Sequence, residues 1–347
     1  MTVARRYYYC RACRGGDSPW DGWAGLAGGR SLSEHARRMV TLAGMSWPFD
    51  RAKRHLKDLC RIDVSDDTIE RVCQEEGVRA REWMERSPEP AEAFARAAGR
   101  AEFSTDGVTV NTVGGWREMR LSVLARREPA AACRPQDWAG RALNEPTARL
   151  ASCMIADANH VGAGWNRLSK RVGLAREPSV AVIADGAKWI WDQAAKRLPG
   201  HNAEWCVDVY HVSQHLHACG RAVLGDGPAA RAWADRRLMT ALEGNGVGLI
   251  DRLKRERGGS PAPAAGAIGR LLSYLNDNRD SLWYAKRLAA GLPIGSGLIE
   301  GACKNTIAAR LKANSARWRI RRVERIGALR CLDYSDLWTT YWADRAA

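Results

Sequence analysis

The sequence lacks any apolar run close to the about 18 consecutive residues that a membrane-spanning helix needs. Its first residues carry basic side chains with no apolar segment behind them, so no secretory signal is expected. Apolar residues make up 46% and charged residues 27% of the 347 positions, which excludes disordered and fibrous classes. No internal repeat is apparent. We therefore expect a cytoplasmic globular protein, and at about 150 residues per domain its length suggests two or three domains.

Acidic residues are scarce relative to basic ones. Lys and Arg number 54 and Asp and Glu number 39, which leaves a formal charge of +15. Such a surplus favours a polyanionic partner, because phosphate contacts release condensed counterions. A membrane surface is the competing partner, but no basic amphipathic helix with an aromatic face stands out. The charge therefore predicts binding to nucleic acid rather than to a membrane.

Paired cysteines are also rare. Of ten cysteines, only Cys10 and Cys13 have a metal-type spacing, and the others are expected to be reduced thiols. A tetrahedral zinc site needs four ligands, and few residues precede Cys10. We expect residues 1–30 to form a partial zinc knuckle, with zinc not bound by this chain alone.

The next segment, 31–90, has helical periodicity and resembles a helix-turn-helix arrangement of three helices. The third, beginning after Ser65, has two acidic residues in its first turn, which suits the helix dipole but suits a reader of the DNA major groove poorly. Residues 67–76 are the candidate recognition helix, but a role in packing or dimerisation is favoured for them. Residues 87–90 (SPEP) indicate a linker.

From about residue 100 the pattern becomes that of a sheet. Two extended runs, 102–110 and 116–125, are joined by Val113-Gly114-Gly115 and predict a β-hairpin. A third run covers 149–156, and after a helix a wholly apolar run, 179–184, predicts a buried strand. A further helix and a strand over 203–207 follow. The prediction is an α/β fold with three antiparallel strands and then two parallel ones.

Three carboxylates are candidates for catalysis. Asp106 lies in the first strand, Asp185 ends the fourth, and Glu300 lies one turn into a helix that begins near Ser296. Taken singly, Asp-Gly is a common turn dipeptide and an acid favours a helix N-terminus. Together they suit a site for two Mg²⁺ or Mn²⁺ ions, because hard cations prefer oxygen ligands and a pair of ions can drive in-line phosphoryl transfer.

Three phrases of the sequence carry a family resemblance: DGAKWIW at 185–191, DVYH at 208–211 and GLPIGSGLIE at 291–300, the last continuing to Lys304. From about Tyr7 to Leu329 the chain resembles the ISKra group of bacterial insertion-sequence transposases, in the Mutator-like branch of DDE transposases. Members of this group typically carry another Cys pair upstream of the one at Cys10 and Cys13, so the resemblance implies an N-terminally truncated chain.

The resemblance implies an RNase H-like catalytic domain with a helical insertion before the last acid. Its first part would cover 100–208, the insertion 209–290, and the final catalytic helix with a basic tail 291–347. The metal-binding triad falls on Asp106, Asp185 and Glu300. The partners implied are double-stranded DNA, both transposon ends and target, and further copies of the chain.

Asp208 and His211 match the Asp-x-x-His motif of the family, which favours a role in holding the site or positioning substrate. The plain alternative is a strand-end Asp that caps the following helix, with His211 one turn in. His211 and His215 are also four residues apart, a metal-type spacing, but no third ligand is evident.

The basic run at 310–325 lies directly after the Glu300 helix. A charged run is usually a solvated helix face, but its position beside a catalytic acid favours phosphate contacts. The candidate DNA-binding residues are Arg310, Lys312, Arg317, Arg319, Arg321 and Arg322.

The favoured function is therefore cleavage of transposon ends and strand transfer. The alternatives are an RNase H-like nuclease without strand transfer and a catalytically inactive DNA-binding remnant of a decayed element.

Overall fold

The computed structural model describes residues 6–23, 26, 32–198, 203–244, 246–313 and 316–346. Near the N-terminus, a two-stranded hairpin pairs β1 (Tyr8–Tyr9) with β2 (Gly16–Asp17) and is followed by α1 (Pro19–Trp23). Part of the predicted segment 1–30 lies outside the described residues. Four further helices precede the main sheet: α2 (Glu34–Ser46), α3 (Phe49–Cys60), α4 (Asp66–Arg86) and α5 (Glu89–Arg96).

Serine caps begin two of these helices, as their sequences predict. The Ser33 hydroxyl accepts a hydrogen bond from the backbone N–H of Ala36, and the Ser65 hydroxyl accepts one from Thr68. The linker predicted at 87–90 is shorter than expected: Ser87 and Pro88 connect α4 to α5, whereas Pro90 lies in the first turn of α5, where a missing N–H has no hydrogen bond to lose.

The main sheet has five strands in the order β5-β4-β3-β6-β7. Their bounds are β3 (Arg100–Thr112), β4 (Gly115–Arg127), β5 (Ala148–Met154), β6 (Val180–Ala184) and β7 (Ala203–Val207). The first three strands are antiparallel, and β6 and β7 run parallel to β3. The predicted α/β class and the mixed sheet are confirmed.

Helices cover both faces of this sheet. On one face lie α6 (Ala158–Arg171) and α7 (Lys188–Arg197), where Trp165 packs edge-on against Phe103 of β3. On the other face the last part of the chain folds back. It forms α13 (Gly297–Ala302), a π-helical segment (Cys303–Ala308), α14 (Ala309–Leu311), α15 (Ile320–Tyr334) and α16 (Trp338–Ala346).

Between β7 and α13 the chain is helical, as predicted. The insertion contains α8 (Val209–Leu224), α9 (Pro228–Glu243), α10 (Val247–Gly258), α11 (Ala262–Asp277) and α12 (Tyr284–Ala289). Its apolar side chains form a second core, which reaches the sheet through Ile183, Cys206 and Val207.

The predicted helical segment 31–90 does not form a separate core. Buried residues of α2, α3 and α4, such as Val40, Leu56 and Val72, belong to the same cluster as Leu121 of the sheet and Ile326 of α15. The N-terminal helices are therefore part of the body that carries the sheet. None of the helices within the described residues is long and apolar enough to cross a membrane.

Candidate active site and nucleic-acid interface

The register of the sheet places two of the predicted acids side by side. Ser104 of β3 pairs with Ile183 of the parallel strand β6, and Asp106 and Asp185 each follow two residues later. Because paired residues of neighbouring strands share a face, and the side-chain period is two, both carboxylates are level on one face of the sheet. Asp106 and Asp185 thus form a row of acids. The Asp208 N–H donates to the Ala184 carbonyl (2.7 Å), so Asp208, directly after β7, lies beside Asp185 at the end of this row.

Glu300 reaches this row from the helix above it. It lies in α13, which packs on β3 and β4, and its N–H donates to the Ser296 carbonyl (3.0 Å). Burial raises the pKa of Asp106, and the charges of Asp185 and Glu300 raise it further, whereas the Gly107 N–H and His211 oppose the shift. The fold therefore brings the three predicted acids within electrostatic reach of one another.

Each aspartate is held by a backbone donor at one oxygen. The Gly107 N–H donates to Asp106 Oδ1 (2.6 Å), and the Ala187 N–H donates to Asp185 Oδ1 (2.8 Å). Gly186 has φ +92°, a conformation that glycine adopts readily, and a Cβ there would lie 2.9 Å from the Asn278 side chain. The Asp-Gly at 185–186 is thus both a turn and the means of presenting a carboxylate.

Carboxylate oxygens are the ligands that hard divalent cations prefer, and the pKa of Asp106 is raised first by burial and then by the negative charges of Asp185 and Glu300. The donor set therefore fits such an ion in charge and chemistry. Within the described residues, however, no three His, Cys, Asp or Glu side chains are already close enough to hold one metal. Glu300 also contacts Lys304, whose Nζ lies 3.4 Å from Oε2. Binding would require these side chains to turn toward a common point.

Asp208 has a different environment from the other three acids. It is fully buried, and its Oδ2 accepts from the Ser296 hydroxyl (2.7 Å), while Oδ1 accepts from the N–H groups of Ser296 (3.2 Å) and Tyr210 (3.0 Å). Both oxygens are thus used inside the protein. Asp208 caps α8 and joins it to the start of α13, so its geometry supports positioning of Glu300 rather than metal ligation.

His211 and two further side chains border the carboxylates. His211 Nε2 lies 3.9 Å from Asp208 Oδ2, and its charge acts on Asp106. His215 stacks on Tyr274 with ring centroids 3.9 Å apart, and the Tyr274 hydroxyl donates to the Asp185 carbonyl (2.9 Å). Burial lowers the pKa of His215, and nearby His211 lowers it further, which favours the neutral imidazole. No sequence signal pointed to Tyr274, because its helix lies far along the chain from Asp185.

The knuckle predicted at Cys10 and Cys13 forms the exposed turn between β1 and β2. The Cys10 N–H donates to the Gly15 carbonyl (2.8 Å). Hydrogen bonds from the backbone and side chain of Cys13 lower the pKa of Cys10. The turn thus stabilises a thiolate, but no third ligand joins the two cysteines within the described residues.

The basic run after α14 borders an open groove of about 530 Å³ at the tip of the β3–β4 hairpin. Val113 and Gly114 form one wall, and Arg319, Arg321 and Arg325 lie on the other. Arg317, Arg319, Arg321 and Lys312 are exposed. Arg322 is exposed too, but its Nη1 lies 2.5 Å from Glu70 Oε1, so part of its charge is already neutralised.

Arg310 does not fit the predicted role of a phosphate contact. It is only 3% exposed, its Nε donates to the Gly44 carbonyl (3.1 Å), and its guanidinium lies over the rings of Phe49 and Trp318. Burial lowers its pKa to about 10. Helical spacing alone could not reveal this, because the covering helices come from the other end of the chain.

The candidate recognition helix within 67–76 is also enclosed. It is part of α4, which crosses α15 so closely that a Cβ on Gly77 would lie 2.4 Å from the Arg325 carbonyl. The packing role favoured for this helix agrees with that contact. A cluster of exposed cations lies on α3, at Arg51, Lys53, Arg54 and Lys57.

No protein-family model matches the chain, and no curated protein matches it.

Proposed function

We propose that this protein is a DDE transposase with an RNase H-like catalytic core, which cuts transposon ends and joins them to target DNA in the cytoplasm. The observation that carries the proposal is the row formed by Asp106 and Asp185, with Glu300 facing it from α13. The order of strands, three antiparallel and then two parallel, supports the RNase H-like assignment, and the basic groove nearby supports a DNA substrate.

Asp106, Asp185 and Glu300 would hold Mg²⁺ or Mn²⁺. Two such ions would stabilise the attacking and leaving oxygens of an in-line displacement. Asp208, through Ser296, fixes the helix that bears Glu300. His211 would donate a hydrogen bond to the scissile phosphate, and Arg317, Arg319 and Arg321 would bind phosphates further along the strand. Cutting both ends of an element would require more than one copy of the chain on DNA.

The test is Mg²⁺-dependent cleavage of duplexes that carry the DNA flanking this gene, with joining to a supercoiled plasmid as a second readout. Glu300→Gln, Asp106→Asn and Asp185→Asn keep size and polarity but remove the charge. Each should lower cleavage by several orders of magnitude, and a double variant should lose little more than a single one, because the three acids act as a unit.

DNA binding measured in Ca²⁺ should be retained by all three variants. Glu243→Gln, in the helical insertion away from the row, is the matched control and should cleave normally. Near-normal cleavage by Glu300→Gln would contradict the triad. Cleavage without joining would indicate a nuclease, and binding without cleavage in the wild type would indicate an inactive remnant.

A further inference from the structure

The tip of the β3–β4 hairpin exposes apolar side chains to solvent. Val113 is 60% exposed and Trp116 is 63% exposed. An exposed tryptophan offers a large flat apolar surface, and such rings are concentrated where another molecule covers them. The hairpin tip therefore has the character of a contact surface.

The tip is held firmly in place. The Val113 N–H donates to the Trp318 carbonyl (2.9 Å), and the Trp318 N–H donates to the Asn111 carbonyl (3.0 Å). The Trp318 indole is buried and donates to the Leu311 carbonyl (3.0 Å). Because the hairpin is anchored on a buried ring, Trp116 is presented from a rigid support.

Positive charge lies on the same face as Trp116. Thr112 and Trp318 form a parallel bridge, so their side chains share one face, and Arg317 and Arg319 on either side of Trp318 point to the other. Asn111 and its cross-strand partner Trp116 also lie on that second face. Arg317 further donates to the Val113 carbonyl (3.4 Å). Trp116 and these two arginines thus share one face of the hairpin tip.

We propose that Trp116 stacks on an unpaired base of DNA whose phosphates are bound by Arg317 and Arg319. Cations that follow the phosphates, combined with an aromatic ring that stacks on a base, are the means by which proteins hold single-stranded nucleic acid. Paired duplex offers phosphates to the arginines but no free base face to the indole. The inference depends on the proposed function only in taking DNA as the substrate.

The length of β3 sets the distance between Trp116 and the carboxylates. Asn111, opposite Trp116, lies five residues beyond Asp106 on β3, or about 17 Å along the strand at about 3.3 Å per residue. Because five is an odd number of residues and side chains alternate along a strand, Trp116 and Asp106 project from opposite faces of the hairpin. Trp116 would thus hold an unpaired base at the hairpin tip, on the opposite side of β3 from the carboxylates.

The experiment compares two fluorescently labelled duplexes of one sequence, fully paired or with a central bubble of unpaired bases, in Ca²⁺. Wild-type protein should bind the bubble about tenfold more tightly, the effect expected of one stacked aromatic ring. Trp116→Ala should bind both equally, and Trp116→Phe should keep most of the preference. Trp283→Ala is the control, because Trp283 is 45% exposed on the helical insertion.

A second readout uses 2-aminopurine in the bubble, whose fluorescence should fall on binding to wild type and not to Trp116→Ala. A wild-type protein without bubble preference, or a Trp116→Ala variant that retains it, would overturn the inference. Both measurements precede cleavage, so they separate the two proposals. Bubble preference through Trp116 without any cleavage would contradict the transposase alone, and cleavage without bubble preference would contradict only the role of Trp116.

Discussion

Ser296 donates a 2.7 Å hydrogen bond to the fully buried carboxylate of Asp208. Four residues later on the same segment stands Glu300, so this bond connects the end of β7 to the helix that carries the third acid. We therefore expect Asp208 to position the helix that carries Glu300, whereas Asp106, Asp185 and Glu300 are the proposed metal ligands.

Asp208→Asn should fold and retain much of its activity. An asparagine can accept from the Ser296 and Tyr210 N–H groups through Oδ1, and the Ser296 hydroxyl can turn to accept from Nδ2. Asp208→Ala leaves those donors unpaired and should cost about 3 kcal/mol. Urea unfolding and end cleavage measure the two effects. If Asp208→Asn lost as much cleavage as Asp185→Asn while remaining folded, Asp208 would be a metal ligand.

Asp106→Asn should stabilise the metal-free fold at neutral pH. The folded-state pKa of Asp106 is raised, so stability is lost as the pH rises from the unfolded-state pKa through the higher folded-state pKa, and the full penalty is present above it. The stability that Asp106→Asn gains over the wild type should therefore be largest at neutral pH. It should vanish in acid, where the wild-type carboxyl is protonated. Melting temperatures across pH test this, and added Mg²⁺ should raise only the wild-type value. Asp58→Asn, at an exposed position of α3, should show neither effect.

Glu76 should make the fold sensitive to acid. It is fully buried, and it accepts hydrogen bonds from Arg37 (2.5 Å) and Tyr341 (2.7 Å) and contacts Arg345 (2.5 Å). These partners lower its pKa despite burial. The stabilisation is present above the unfolded-state pKa and is lost as pH falls through the lower folded-state pKa.

Glu76→Gln should lower the free energy of unfolding by about 3 kcal/mol at neutral pH. It should also reduce the loss of stability as the pH falls, which is the acid limb of the stability curve. Urea titrations from neutral to acidic pH measure both. The exposed Glu82 on the same helix provides a control, Glu82→Gln. An unchanged acid limb in Glu76→Gln would mean that other carboxylates cause the acid sensitivity.

The basic groove should contribute to the salt dependence of DNA binding. Each neutralised phosphate adds about −0.9 to the slope of log K against log salt, so replacing Arg317, Arg319 and Arg321 by Ala should flatten the slope by about 2 to 3. Arg322→Ala alone should have a smaller effect, because Glu70 already pairs with Arg322. Arg310→Ala should lower stability instead, because it removes a buried cation that stacks on Phe49 and Trp318.

Binding titrations at several salt concentrations check these expectations. The triple replacement of Arg252, Lys254 and Arg255 on α10 removes the same charge from another exposed surface and should leave the slope nearly unchanged. If both triple variants flattened the salt slope equally, DNA binding would depend only on the net charge of the protein and not on the groove.

Cys10 should react with thiol reagents at lower pH than Cys60. Both are exposed, but the hydrogen bonds from Cys13 and its backbone lower the pKa of Cys10. Iodoacetamide labelling followed by mass spectrometry resolves the two sites. Stoichiometric zinc with Cys10 and Cys13 protected from labelling would contradict the expectation that this chain alone does not bind zinc.

The sequence predicted the strands well because local patterns decide them. Alternation and turn residues located the hairpin at 113–115, and β7 begins and ends where expected. The same local reasoning placed Asp106 in a strand and Asp185 at the end of another, but the register that brings them together is seen only in the structure. Local reasoning could not recover contacts between distant segments. The burial of Arg310 under Phe49, the pairing of Arg322 with Glu70 and the place of Tyr274 under Asp185 all depend on helices that meet only in the folded chain.

The pairing of β3 with β6 also bears on how the chain can vary. Loss of one residue from β3 between the paired segment and Asp106 would turn that carboxylate to the opposite face, because side chains alternate along a strand. Asp106 would then face α7 rather than α13, while Asp185 and Glu300 kept their places, with little change in core volume. Frame-preserving deletions in β3 should therefore abolish activity more often than substitutions do, whereas insertions in the loops of the helical insertion should be tolerated.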